Sequence, residues 1–267
     1  MGATLYLTWQ DPVGRSWFPV GRLSLHAGVY EFVYTCGAEE AIGSGFRPLP
    51  GFPDLDRAYY STELFPIFSN RLLPRSRPEY PAFVEWLSVS AAADTPFMLL
   101  ARGGGQRVTD RFEVFPQPEM EPSGRYRIHF FVHGLRHLST SSHDRAAQLT
   151  PGERLFLVHD FQNPWDPNAL LLRTGEKQPG DVHLVGFCPR YLSQDVFEHG
   201  LTLRGSDPVV VVQRVNPPPA PIQFRVLCRL TISAENGYQP FSSWLYQPMA
   251  NGLATASAES LKENHDA

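Results

Sequence analysis

Apolar and polar positions alternate along most of the chain, and the alternation has the period of a strand. "ATLYLTWQ" and "GVYEFVYTC" are of this kind, and "RSWFPVGRLSLHAG" between them reads as a further strand with a turn at either end. "GAEEAIGSG" holds one short helical turn. "YYSTELFPIFSNRLL" and "RPEYPAFVEWLSVS" have helical spacing, with Pro66 limiting the first. "PFMLLARGGG" and "RFEVFPQP" read as a strand pair across a glycine turn. A second series follows at short intervals: "RYRIHFFVHGLRHL", "ERLFLVHDF", "ALLLRT", "VHLVGFCP", "DPVVVVQRVN" and "APIQFRVLCRLTIS". "PRYLSQDVFEHG" interrupts it as a short helix. Closely spaced strands between Pro, Gly and Asn turns predict a small barrel.

The fold class expected is therefore α+β and mainly β, a small α+β domain followed by a small SH3/OB-like β-barrel. The expected divisions are residues 1–116, a Pro/Glu/Ser/Gly linker at 117–124, the barrel at 125–234, and a C-terminal extension at 235–267, partly disordered. With 267 residues, 42% hydrophobic and 19% charged, the chain can bury a sizeable core. Its net charge of −4 excludes a globally basic nucleic-acid binder and leaves only a local patch. Lys177 and Lys262 are the only lysines, so the cations are almost all arginine. That suits bidentate contact with phosphate or carboxylate. Cys36, Cys188 and Cys228 lie far apart, which argues against a disulfide framework or a zinc ribbon and fits a reducing cytoplasm. "MGATLYLTWQ" lacks a basic region followed by an apolar core, so no signal peptide is expected. No run approaches the length of a membrane span.

The densest cluster of unusual residues is "FQNPWDPNALLLR", residues 161–173. Asn-Pro and Asp-Pro-Asn form turns without any ligand, and Trp165 can simply cover the end of the core. The alternative is a site. "LFLVHDFQNPWDPNALLLR" followed by "VGFCPRYLS" resembles a HIRAN domain, in which a strand, Asn-Pro-aromatic-Asp-x-Asn-Ala, a second strand and Gly-aromatic-x-Pro-Arg follow in this order. The resemblance extends over roughly residues 125–232. It implies a barrel that grips the 3′-hydroxyl end of single-stranded DNA, with no cofactor and no catalytic role. Asp166 is then the hydroxyl acceptor, and Gln162 and Asn163 hold the terminal sugar or phosphate. Trp165 stacks a base. Arg136, His137, Phe187 and Arg190 complete the nucleic-acid site. The chemistry is consistent: a carboxylate accepts a free hydroxyl and repels a phosphate.

The first half, in "FPVGRLSLHAGVYEFVYTCGAEE" and "ELFPIFSNRLLPRSRPEY", is similar to the N-terminal subdomain of HipA-type toxin kinases. Pro66, Phe68, Asn70, Leu72, Leu73 and Pro74 carry that pattern, with Arg75 where a glutamate is usual. The resemblance implies a second function class, a protein-interaction or antitoxin-like module, with Arg71, Arg75 and Arg77 as a partner-binding patch. Other motifs are weaker. His129, His133 and His137 share a strand face without an acidic ligand, so no metal is expected. "SSHDR" places Ser, His and Asp as sequence neighbours, which rarely converge as a triad. "RGGGQR" lacks the Lys-Ser/Thr of a phosphate loop.

Overall fold

The computed structural model describes residues 3–176, 182–200 and 208–250. The last stretch of the expected extension, residues 251–267, lies outside the described residues, as do both lysines. The chain forms two compact units. The first takes the chain up to Leu73, Thr95–Gln117 and the described residues from Phe241; the second takes Pro74–Asp94 and Pro118–Pro240.

The first unit is a five-stranded antiparallel sheet of β1 (Ala3–Gln10), β2 (Trp17–His26), β3 (Val29–Tyr34), β4 (Tyr59–Ser61) and β5 (Phe112–Pro116), in the order β4-β3-β2-β1-β5. Ala27 and Gly28 take positive φ in the tight turn between β2 and β3. Two short helices, α1 (Cys36–Ile42) and α2 (Pro66–Ser69), belong to this unit. Alternation buries Leu5, Leu7, Leu23 and Phe32 on one face, where Phe46, Phe52 and Phe68 pack with them. On the other parity of β1 stands one aromatic ring, Tyr6. Tyr6 meets Phe241 and Tyr246 edge-on at 5.6 and 5.0 Å, and Met249 donates its amide to the Tyr34 carbonyl. The polar-looking stretch after residue 235 thus returns to the first sheet before the described residues end.

Two elements differ from the sequence pattern. The run beginning "YYSTELFPIF" is not one helix. It splits into β4 and the single turn α2, because Pro66 occupies the first helical position and has no N–H to continue a helix behind it. Next in the chain is α3 (Tyr80–Trp86), in the second unit, as its helical spacing indicates. "PFMLLARG" is helix α4 (Pro96–Gly103), not the first strand of a pair. An eight-residue apolar run has no decisive period. Its ends decide instead: the Thr95 hydroxyl accepts the Met98 amide at 3.2 Å, Pro96 opens the helix, and Gly104 closes it at φ 73°. β5 then pairs with β1.

The second unit is a seven-stranded antiparallel sheet. Its strands are β6 (Glu119–Met120), β7 (Arg125–Phe131), β8 (Arg154–His159), β9 (Leu170–Thr174), β10 (Leu184–Phe187), β11 (Val209–Val215) and β12 (Val226–Ser233). Their order is β10-β9-β8-β11-β12-β7-β6. Helix α5 (Thr140–Ala147) starts at Ser139, whose hydroxyl accepts the Ser142 amide, and α6 (Arg190–Glu198) follows β10. The expected SH3/OB-like barrel does not form. Neither sheet closes or curls strongly, and β10 and β6 stand at the two edges. The physical reason lies in the edge elements. β10 has four residues and an irregular register between Leu184 and Gly186, and the chain leaves β7 at Phe131 to turn at Gly134. What joins these two segments is one isolated bridge, His133 with Phe187, and not a ladder. Among the described residues no helix is long and apolar enough to cross a membrane.

Candidate nucleic-acid interface

β8 and β9 pair in register from Leu155–Thr174 to His159–Leu170, and residues 160–169 connect them. The Asp160 amide donates to the Ala169 carbonyl at 2.9 Å and closes the base of this loop. Asn163 organises its interior. Its Oδ1 accepts the amides of Trp165 and Asp166 at 3.0 and 3.1 Å, and its Nδ2 donates to Asp160 Oδ2 at 3.0 Å. Asp166 repeats the device: Oδ1 accepts the Asn168 amide at 3.1 Å, and its carbonyl accepts the Ala169 amide. His159 Nε2 lies 2.8 Å from the Pro167 carbonyl, which requires the Nε2–H tautomer. Short polar side chains bonded to backbone two or three residues on are what Asn and Asp do in turns. The turn reading of "FQNPWDPN" thus accounts for the loop's shape.

It does not account for everything the loop holds. Arg190, at the start of α6, donates from Nε to Asp166 Oδ2 at 2.9 Å and from Nη2 to the Trp165 carbonyl at 2.8 Å. The side chains of this pair are 20% and 14% exposed, so both charges are largely withdrawn from water yet reachable. Beside them two large apolar side chains face solvent: Trp165 is 63% exposed and Phe161 77%. A rigid loop that displays aromatic rings while fixing a carboxylate against a guanidinium has the parts of a polar binding site.

The remaining expected residues are placed as follows. Gln162 is exposed on the same loop. Phe187 ends β10, exchanges backbone hydrogen bonds with His133, and stands so close to Gly134 that a Cβ there would lie 2.8 Å from its ring. The 3-10 turn Leu135–His137 begins directly after Gly134. Arg136 and His137 are exposed on that turn, and Arg136 Nε donates to His137 Nε2 at 3.0 Å. The Cys188 amide bonds to the Leu170 carbonyl at 2.8 Å, which ties the start of α6 to β9. Direct contact therefore unites Asn163, Trp165, Asp166 and Arg190, while Arg136 and His137 stand on a neighbouring turn reached through the His133–Phe187 bridge. Sequence reasoning passed over Phe161, although an aromatic residue between Asp160 and Gln162 at a strand end was a visible signal.

Of the three arginines expected as a partner-binding patch, the Arg71 side chain is buried against its own unit, while Arg75 and Arg77 are exposed. Arg71 makes a two-pronged pair with Asp110 at 3.1 and 2.7 Å, donates from Nε to the Ile67 carbonyl, and is 3% exposed. Arg75 donates to the Asp94 carbonyl at 2.6 Å, and Arg77 is exposed. The three cysteines are free thiols. Burial pushes the Cys188 thiol up to about 12 and raises Cys228 as well, so both are inert packing groups at neutral pH. Ser142, His143 and Asp144 are successive residues of α5. Among the described residues no three His, Cys, Asp or Glu side chains gather as a metal ion would need.

Residues 126–234 match the family model of the HIRAN domain, a non-catalytic module consistent with a role in nucleic-acid binding. No curated protein and no solved structure matches the chain. Nothing in these comparisons supports a HipA-type subdomain in the first half, and the antitoxin reading falls with it. The residues behind that resemblance have local structural roles: Pro66 opens α2, and Phe68 is fully buried in the first core.

Proposed function

We propose, with the HIRAN domain at residues 126–234 as the premise, that this protein binds single-stranded DNA and that the β8–β9 loop reads its 3′-hydroxyl end. The observation that carries this reading is the Asp166–Arg190 pair, fixed beside an exposed tryptophan. A terminal hydroxyl donates to the carboxylate, and the guanidinium next to it attracts the last phosphodiester. A strand that continues, or ends in phosphate, brings negative charge against Asp166 instead. Trp165 offers a face for an unstacked base. Asn163 spends its side chain on the loop and acts as a positioning residue, which leaves Gln162 as the amide for sugar or phosphate. Arg136, His137 and Phe187 supply the adjoining wall.

The test is an anisotropy titration of single-stranded oligonucleotides with free 3′-hydroxyls against wild type and three variants. Asp166→Asn keeps the shape and removes the charge, and should abolish discrimination between hydroxyl and phosphate ends. Trp165→Ala should cost about 1–3 kcal/mol for any terminal base. Arg190 holds both Asp166 and the Trp165 carbonyl, so Arg190→Ala should lower affinity and end preference together. Folded variants that bind as wild type does would refute the site.

A further inference from the structure

The registers of the second sheet define a face that the loop site does not use. Arg173 on β9 pairs with Phe156 on β8. Arg154 on β8 pairs with Val211 on β11, Val211 with Arg229 on β12, and Arg229 with His129 on β7. Directly paired residues project to the same side of a sheet. Arg154, Arg173, Arg229 and His129 therefore share one face, with Phe156 among them. Their strand neighbours Leu155, Leu172, Val210 and Leu230 point to the other face and are buried.

This face is built around its cations. The guanidinium carbons of Arg154 and Arg173 lie 5.0 and 4.9 Å from the centroid of the Phe156 ring. Such contacts keep both charges close to the sheet. Arg229 Nε is buried without a hydrogen-bond partner, which holds this charge close to the sheet. Among the described strand residues of this face the one carboxylate is Glu119, at the β6 edge, and Arg127 holds it. Neighbouring strands stand about 4.8 Å apart, so Arg154 and Arg229, two strands apart, are separated by roughly 10 Å. In a chain of net charge −4 such a sheet face is a local positive field, and its complement is a polyanion.

We infer that this face carries the phosphate backbone of the same DNA strand whose 3′ end the β8–β9 loop holds. The inference rests on that reading and extends it. Phe156 stands four residues before Asp160, about 13 Å along β8 at the rise of a strand, so backbone track and end pocket lie on one hairpin. The end pocket then supplies polarity, and the face supplies the affinity for a longer strand that does not depend on its sequence.

The experiment uses the whole chain and a 5′-labelled twelve-nucleotide oligo(dT), titrated over a series of salt concentrations. Each phosphate contact to a single strand contributes about 0.7 to the slope of log K against log salt. Arg154→Ala/Arg173→Ala should lower that slope by about 1.4 and weaken binding at the lowest salt by on the order of tenfold per contact. The ratio of affinities for 3′-hydroxyl and 3′-phosphate ends should stay as in wild type. Arg154→Lys/Arg173→Lys keeps the charges and should keep most of the slope, which separates charge from packing against Phe156. A folded alanine variant with unchanged slope and affinity overturns the inference, and so does an equal loss in the lysine variant. If wild type shows no end preference while the slope still responds to these arginines, the end reading falls and the backbone face stands. No binding at low salt removes both.

Discussion

Asn163 bonds three groups of its own loop with one side chain: two backbone amides and the Asp160 carboxylate. Asn163→Ala strands all three and should destabilise the second unit by about 1–3 kcal/mol, measured by urea denaturation. Asn163→Asp keeps the acceptor for both amides but faces Asp160 with a second carboxylate, so it should recover only part of the loss. The cysteines give a different test. An unfolded thiol loses its proton near pH 9, whereas burial keeps that of Cys188 until about pH 12. The folded-state value is raised, so this stability is fully present below pH 9 and is lost as pH rises through that window. The expected loss is about 1.4 kcal/mol per pH unit for each such thiol. Urea midpoints at pH 7.5 and 10.5 for wild type and Cys188→Ala check it: the variant should show the shallower fall. Parallel falls would mean that the thiol is not the titrating group.

Among the elements, the close approach of β10 to the segment after β7 depends on one glycine. Gly186 has φ 129°, and a Cβ there would lie 2.3 Å from Val132 Cγ1 and 2.6 Å from the His133 carbonyl oxygen. Gly186→Ala should therefore push these segments apart, at a cost of about 1–3 kcal/mol. Because the bridge beside it holds the turn bearing Arg136, DNA affinity should fall as well. Thermal unfolding and titration of the same variant measure the two effects, and an unperturbed midpoint would contradict the account. Strands with clear alternation were legible: "ATLYLTWQ" matches β1 residue for residue. α4 was not, because the capping of Thr95 and the left-handed Gly104 decide a run whose period is ambiguous. Closure of the second sheet was not legible either. Strand count and spacing do not say whether the edge strands meet in a ladder or, as here, stay apart, with a single bridge from β10 to the segment after β7.

For the molecule as a whole, composition and site point in different directions, and the strand registers reconcile them. A net charge of −4 hides a face on which Arg154, Arg173 and Arg229 gather, since sequence shows only their separations and pairing decides their neighbours. The candidate residues of the loop were legible because they fall within one motif, "NPWDPN". The partnership between Asp166 and Arg190 spans 24 residues and appears only once β10 delivers α6 to the loop. That partnership makes end recognition the central claim. The measurement that tests it most directly is the ratio of wild-type affinities for one oligonucleotide ending in a 3′-hydroxyl or a 3′-phosphate, at fixed salt. Loss of a charge-assisted hydrogen bond together with a repulsive pair is worth about 2–3 kcal/mol, so the hydroxyl end should bind about 30- to 150-fold more tightly. Equal affinity for the two ends, with the protein folded, would contradict it.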